Sequence, residues 1–202
     1  MYDRPVRTSR QDRRRAVAEV AARQHGYFTA AQALRLGCTY QNQKFHVDHG
    51  NWIRVERGLF RLREWPVSDD DHLVRAWLWA KGQAVVSHQS ALAAHNLGDV
   101  DPAKVHLSVP PGFRRKSDFV VLHHVVTPPE YREDRGAYTV TTVPRAIAEC
   151  AAEAMPDELL ASAVIDALQQ GRTTRRRLRD AAAALGDRAE LGVERALRTV
   201  DE

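Results

Sequence analysis

No apolar run approaches the roughly 18 residues that a membrane-crossing helix needs, so the sequence holds no candidate span. Cysteine is almost missing. Only Cys38 and Cys150 occur, far apart in the chain. Two such residues build neither a disulfide framework nor a zinc knuckle, and they predict a reducing, cytoplasmic location. The opening stretch MYDRPVRTSRQDRRR is basic but lacks the apolar region of a secretory signal. There is no P-loop, no Gly-x-Gly-x-x-Gly, no HExxH and no Gly-x-Ser-x-Gly elbow, which removes the familiar nucleotide, zinc-protease and hydrolase signatures. Repeats and low-complexity tracts are absent too. Of the 9 histidines, His88 and His95 lie seven apart on one helix face, and the adjacent His123 and His124 point to opposite sides of a strand. None pairs with a cysteine at ligand spacing. They read as structural or surface residues, so no metal and no cofactor is expected.

What is there is a globular composition with lopsided charge. The 202 residues suffice for one large domain or two small ones. Hydrophobic residues make up 44% and charged residues 28%, ordinary values for a packed protein. Residues 1–65 carry 13 Lys+Arg against 6 Asp+Glu, whereas residues 66–202 carry 17 against 20. A net positive charge concentrated in one segment points to a polyanionic partner for that segment.

The same segment has the element order of a winged helix. RRRAVAEVAARQHG places Val17, Val20, Ala21 and Gln24 on one helical face, with Gly26 as its C-cap. YFTAAQALRLG offers Thr29 as N-cap, and CTYQNQKFHVDHG offers Thr39. Two short helices around a glycine turn predict a helix-turn-helix. The runs WIRV and LFRL, joined through Gly58, then predict a hairpin wing. REWPVSDDD reads as a linker, around Glu64 to Ser68, with Asp69 to Asp71 favouring a following helix start. Beyond it, DHLVRAWLWAKG reads as a buried helix, QAVVSHQSALAAHNLG as a short strand passing into a small-residue helix, and AKVHLSVP, FVVLHHVV and AYTVTTVP as strands. PRAIAECAAEAM, PDELLASAVIDALQQG, TTRRRLRDAAAALG and DRAELGVERALRTV read as helices. The expected core of residues 70–202 includes Trp77, Trp79, Leu92, Val105, Leu107, Val121 and Ile165.

Two blocks carry a family resemblance. GYFTAAQALRLGCTYQNQKFHVDHGNWIRVERGLFRL is similar to the N-terminal winged helix of the AbiEi antitoxin family, with its Gly-x-Phe-Thr opening and Arg-Gly-aromatic wing exit. AVVSHQSALAAHNLGDVDPAKVHLSVPPGFRRKSDFVVLHHV, followed by YTVTTVPRAIAECA, resembles the family's C-terminal part. Its marks are a Ser-x-x-Ser-Ala-Leu helix and a Thr-Thr-x-x-Arg-Ala turn. The blocks span roughly residues 13–152. The resemblance implies an antitoxin of a toxin–antitoxin operon. It implies a winged helix that represses its own promoter at inverted repeats, and a C-terminal region that counteracts a co-encoded nucleotidyltransferase-like toxin. Related proteins with similar front blocks continue into an endonuclease-like domain, which needs clustered carboxylates and a lysine. After Pro156 this chain has alanine-rich helices and no lysine.

On the reading helix, Tyr40, Gln43 and Val47 share one face, with Val47 turned to the core; Gln41, Phe45 and Asp48 share another, with Asn42 beside them. Gln41 and Asn42 suit bidentate bonds to adenine, and Phe45 suits a thymine methyl. Thr39, Tyr40 and Lys44 suit phosphates, which position without specifying. On the wing, Arg54, Arg57 and Arg61 are the expected backbone or minor-groove contacts, and Arg13 to Arg15 are placed just before helix 1 as an arm. In GRTTRRRLRD, the cluster Arg172, Arg175, Arg176, Arg177 and Arg179 is either a solvated helix face, paired with acidic helices such as PDELL, or a docking surface for an acidic toxin or nucleic acid.

The expectation is a non-enzymatic α+β protein. A winged helix-turn-helix at residues 1–65 precedes a mixed α/β antitoxin domain at 66–202, with strands over about 84–143 and a helical bundle over about 144–201. The expected partners are double-stranded DNA and the cognate toxin. Two alternatives stay open: a winged-helix regulator or protein-interaction module with no antitoxin role, and a nuclease-related protein without its catalytic domain.

Overall fold

The computed structural model describes residues 9–200. Among them the chain forms helices and two sheets in two compact units, divided between Trp79 and Ala80.

The first unit begins with α1 (Arg10–Ala22), capped by a reciprocal pair of hydrogen bonds between Ser9 and Asp12. Gly26 is not the cap residue, which is Arg23; instead its N–H donates to Ala21 O at 2.7 Å. It holds φ +83, and a Cβ there would lie 2.3 Å from Trp65 Cγ, so only glycine fits. A short strand β1 (Tyr27–Thr29) follows. Thr29 caps α2 (Ala30–Arg35) through Gln32, and Thr39 caps α3 (Tyr40–Asp48) through Asn42. The hairpin β2 (Trp52–Glu56) and β3 (Leu59–Leu62) forms the wing, with Gly58 at φ +79 in its turn. The sheet order is β1-β3-β2, antiparallel throughout, so β3 is the central strand.

Val17, Ala21, Phe28, Ala33, Cys38, Trp52 and Phe60 make the core of this unit. Phe28 meets Trp52 edge-on at 4.7 Å, a favoured aromatic geometry. Helix α4 (Asp71–Trp79) also belongs here. The compact unit thus runs past residue 65, where the sequence places a boundary, to Trp79. The stretch expected as a linker is fastened: Arg61 Nη2 donates to Trp65 O and Pro66 O at 2.9 Å each, and His25 Nδ1 lies 2.9 Å from Ser68 Oγ. Arg75 Nε donates to Glu56 Oε1 at 2.6 Å, pinning α4 to the wing strand. Trp79 is buried and Trp77 half-buried, but both count toward the first unit.

Among the described residues the second unit is a five-stranded mixed sheet in the order β6-β5-β4-β8-β7 with five α-helices. Its strands are β4 (Val85–Val86), β5 (Val105–Val109), β6 (Val120–His124), β7 (Arg132–Asp134) and β8 (Thr139–Thr141). β4–β8 and β5–β6 run parallel, while β4–β5 and β7–β8 run antiparallel. Helix α5 (His88–Ala94) leaves β4, and α6 (Val143–Ala152) leaves β8. The bundle α7 (Asp157–Gln169), α8 (Arg175–Ala183) and α9 (Asp187–Thr199) encloses α6. Close approach of α6 and α9 depends on Gly192, where a Cβ would come within 2.9 Å of Ala151 Cβ. Leu92, Val105 and Leu107 are buried as expected; Val121 and Ile165 are half-buried. The strand β7 has no signal in the sequence reading. Its residues Arg-Glu-Asp are polar and it lies at the sheet edge, where one side needs no apolar face.

Candidate nucleic-acid interface

Helix α3 presents two unlike faces. Gln43 turns inward at 2% exposure and its amide donates to Ala30 O and Cys38 O, so it joins α3 to α2 and reads nothing outside. Val47 is half-buried against the core. Tyr40 is 69% exposed, and Gln41, Lys44 and Asp48 are exposed beside it. Lys44 Nζ pairs with Asp48 Oδ2 at 2.6 Å. An exposed pair one helical turn apart is worth little, so a phosphate can take the ammonium over.

Asn42 differs from Gln41. Its Oδ1 accepts from Thr39 N at 3.3 Å and from Thr39 Oγ1 at 2.9 Å, while Asn42 N donates to Thr39 Oγ1. The Asn42 carbonyl is thus spent on the helix cap. Bidentate adenine contact needs both ends of the amide, and the exposed Gln41 amide makes no hydrogen bond among the described residues. Phe45, 39% exposed, is stacked by His49 at 3.8 Å and covered by the Arg10 guanidinium at 5.4 Å, which takes up part of its ring.

On the wing, Arg57 is exposed at the turn, and Arg54 is exposed with its guanidinium 5.8 Å over the Phe60 ring. Arg61 does not join them. At 8% exposure it is buried, paired with Asp71 Oδ2 at 3.4 Å and set over Tyr27 at 5.5 Å. The expectation that Arg61 touches DNA is therefore corrected. The sequence reading treats the wing as two strands, whereas Arg61 on the central strand meets Tyr27 of β1 and Asp71 of α4.

Arg13 to Arg15 are corrected in the same way: they lie inside α1, not before it, and Arg15 pairs with Glu19 at 3.1 Å. Their helix nonetheless brings Arg10, Arg13 and Arg14 together with Arg63 around a cavity of about 380 Å³ that Asn42 and His46 border. Arginines of α1 thus join Arg63 beside α3, a grouping that pattern reading missed because these residues are distant in sequence. His46 stacks on Trp52 at 4.5 Å, and burial followed by the nearby Arg10 and Arg14 charges holds it below its usual range.

In the second unit the arginine cluster is divided. Arg179 bonds Glu194 at 2.5 and 3.2 Å, Arg176 approaches Asp180 at 3.8 Å, and Arg172 Nη2 lies 3.1 Å from His95 Nδ1. Asp157 of PDELL pairs with Arg195 at 3.3 Å rather than with the cluster. Arg172 and Arg177 border a groove with Glu130, Tyr131, Glu133 and Asp180. Arg175 is half-buried.

The two motifs of the second block meet inside the sheet–helix layer. Arg145 Nε donates to Glu149 Oε1 at 2.9 Å, both side chains nearly dry. Glu149 Oε2 also receives His88 N at 3.2 Å and Thr141 Oγ1 at 3.4 Å. Burial pushes the Glu149 carboxyl up, and Arg145 pulls it back. Buried charge held this way costs heavily if either partner is removed, so this network reads as the scaffold of the unit. Next to it His88, His106 and His123 gather, with Glu153 at the open side. Burial, then neighbouring imidazoles, takes His88 down to about 2. Burial and then His124 take His123 to about 4. The sequence reading put His88 with His95, but His95 points elsewhere, its Nε2 2.8 Å from Thr141 O.

The fold as a whole is similar to that of the crystal structure of RV2827C protein from Mycobacterium tuberculosis, with 14% sequence identity over 94% of this chain and 77% of that chain and a TM-score of 0.60. At that identity the likeness concerns the fold alone. No curated protein matches the sequence. No helix among the described residues is long and apolar enough to cross a membrane. Residues 15–63, which hold α2, α3 and the whole wing, match the family described as transcriptional regulator, AbiEi antitoxin.

Proposed function

We propose that the first unit is a sequence-specific DNA reader that represses its own promoter at inverted repeats, and that the second unit counteracts a nucleotidyltransferase-like toxin. The protein acts by binding and not as an enzyme. The observation that carries the reading is the outward face of α3: Gln41 stands open between Tyr40 and Lys44, beside a wing bearing Arg54 and Arg57, within the segment similar to the AbiEi regulators. Gln41 supplies the base contact, and Thr39, Tyr40, Lys44, Arg54 and Arg57 supply phosphate or groove contacts. Asn42 contributes through its cap, with at most its amide donor turned outward. The groove of Arg172 and Arg177 is the proposed toxin-facing surface, with Arg175, Arg176 and Arg179 at its margin.

Gel-shift titration on the upstream DNA, repeated at rising salt, tests the first half. Neutralising several phosphates makes log affinity fall linearly with log salt. Equal affinity for promoter and random duplex contradicts it. Co-expression with the neighbouring toxin tests the second half: Arg177→Glu is expected to abolish rescue of growth while leaving DNA binding intact.

A further inference from the structure

We propose that His88, His123 and Glu153 form a binding site for one divalent transition metal of the Zn2+ class. One donor atom each from His88, His123 and Glu153 lies within 4.8 Å of the other two. Glu153 Oε1 stands 3.7 Å from His88 Nε2 and 2.9 Å from His123 Nδ1. With metal bonds of about 2.0–2.2 Å, two donors on one tetrahedral ion are separated by about 3.3–3.6 Å. The two observed separations bracket that span.

The second nitrogen of each ring already has a partner. His88 Nδ1 lies 2.9 Å from Ser87 Oγ and 3.8 Å from Glu149 Oε2. His123 Nε2 lies 3.0 Å from His106 Nδ1. In the tautomers where those outer nitrogens carry the protons, both remaining lone pairs sit on the Glu153 side. Outer partners of this kind fix ring orientation and tautomer in metal sites. The backbone also contributes. His88 holds φ +53, a left-handed conformation unusual for a residue with a side chain, and its N–H is tied to Glu149. Strain of that sort persists only where surrounding structure imposes it, and here the Glu149 carboxylate holds the His88 backbone.

Ligand chemistry selects the ion. Two imidazoles and one carboxylate suit Zn2+ and its neighbours, whereas Mg2+ and Ca2+ want oxygen alone. The Glu153 side chain is 49% exposed, so the fourth position faces solvent and takes water or a donor from a partner. The site joins α5, β6 and the residue that follows α6, and all three lie in the second unit. The rings now stack at 3.5 Å with 13° between planes. Because imidazole lone pairs lie in the ring plane, a shared ion fans the rings apart.

The test uses the full chain, free of any histidine tag, titrated with Co2+ and then Zn2+. Expected are saturation at one equivalent, the visible absorption of a low-symmetry Co2+ site, its displacement by Zn2+, and shifted imidazole resonances for His88 and His123. Glu153→Gln, a change at a half-exposed side chain, and His123→Ala should each weaken binding at least tenfold, with circular dichroism checking the fold. His124→Ala, on the exposed neighbour, should leave it unchanged. Failure of the folded wild type to saturate at one equivalent overturns the proposal. So does uptake that survives Glu153→Gln in a folded protein, or uptake that depends on His124.

Discussion

Arg61 and Asp71 meet at 3.4 Å at the start of α4, with the Arg61 guanidinium also bound to the Trp65 and Pro66 carbonyls. Cutting one partner from a nearly buried pair leaves the other charge stranded. Arg61→Ala is therefore expected to cost about 3 kcal/mol of stability, read as a lowered urea midpoint. An unchanged midpoint with weakened DNA binding would restore Arg61 to the interface and remove it from the scaffold.

The same pair predicts where the chain can be cut. A fragment ending after Trp79 keeps Asp71, Arg75 and the whole of α4, and should melt cooperatively. A fragment ending at residue 65 leaves Arg61 without its acid and uncovers Tyr27. It should be markedly less stable. Comparable melting of the two would show that α4 contributes nothing to the first unit.

Much of this architecture is written in local pattern. Thr29, Thr39 and Gly58 announce the helix-turn-helix and wing because caps and turns are chemistry of neighbouring residues. The β-branched apolar runs of β5 and β6 announce strands for the same reason. What sequence does not display is which face of a strand another element will cover. Arg61 alternates with Phe60 and Leu62 as an exposed wing residue would, and only the pairing of β1 with β3 and the approach of α4 bury it. Asn42 and Gln41 look alike in sequence, yet a hydrogen bond three residues away separates their roles. The meeting of His88, His106, His123 and Glu153 is a product of sheet order, which no spacing encodes.

The Thr39–Asn42 cap yields a third prediction. Asn42→Ala removes the reciprocal bond at the start of α3 and should lower stability by about 1 kcal/mol, with little change in base preference. Asn42→Asp keeps an acceptor and should retain most of that stability. A loss of sequence preference as large as that from Gln41→Ala would mean that Asn42 reads a base after all.

His95 sets a pH dependence. Burial holds its imidazole below the usual 6.5, opposed by the bond to Thr141 and by Glu133 and reinforced by Arg135 and Arg172. The folded state thus resists protonation while the unfolded chain accepts it. Stability from this group is complete above about pH 6.5 and is lost as pH falls below it. Urea midpoints should drop between pH 7.5 and 5.5, and His95→Gln should shrink that drop. A drop of unchanged size in the variant assigns the effect to other groups.

The central claim is a division of labour on one surface, with Gln41 specifying and Arg57 anchoring. It is tested most directly by measuring Kd for wild type, Gln41→Ala and Arg57→Ala on the upstream operator and on a shuffled duplex at one salt concentration. The account predicts that Gln41→Ala loses about 1–3 kcal/mol on the operator alone, collapsing the preference. Arg57→Ala should weaken both duplexes by the same factor and flatten the salt slope. If Gln41→Ala leaves the ratio of the two affinities at the wild-type value, α3 does not read DNA in the way described.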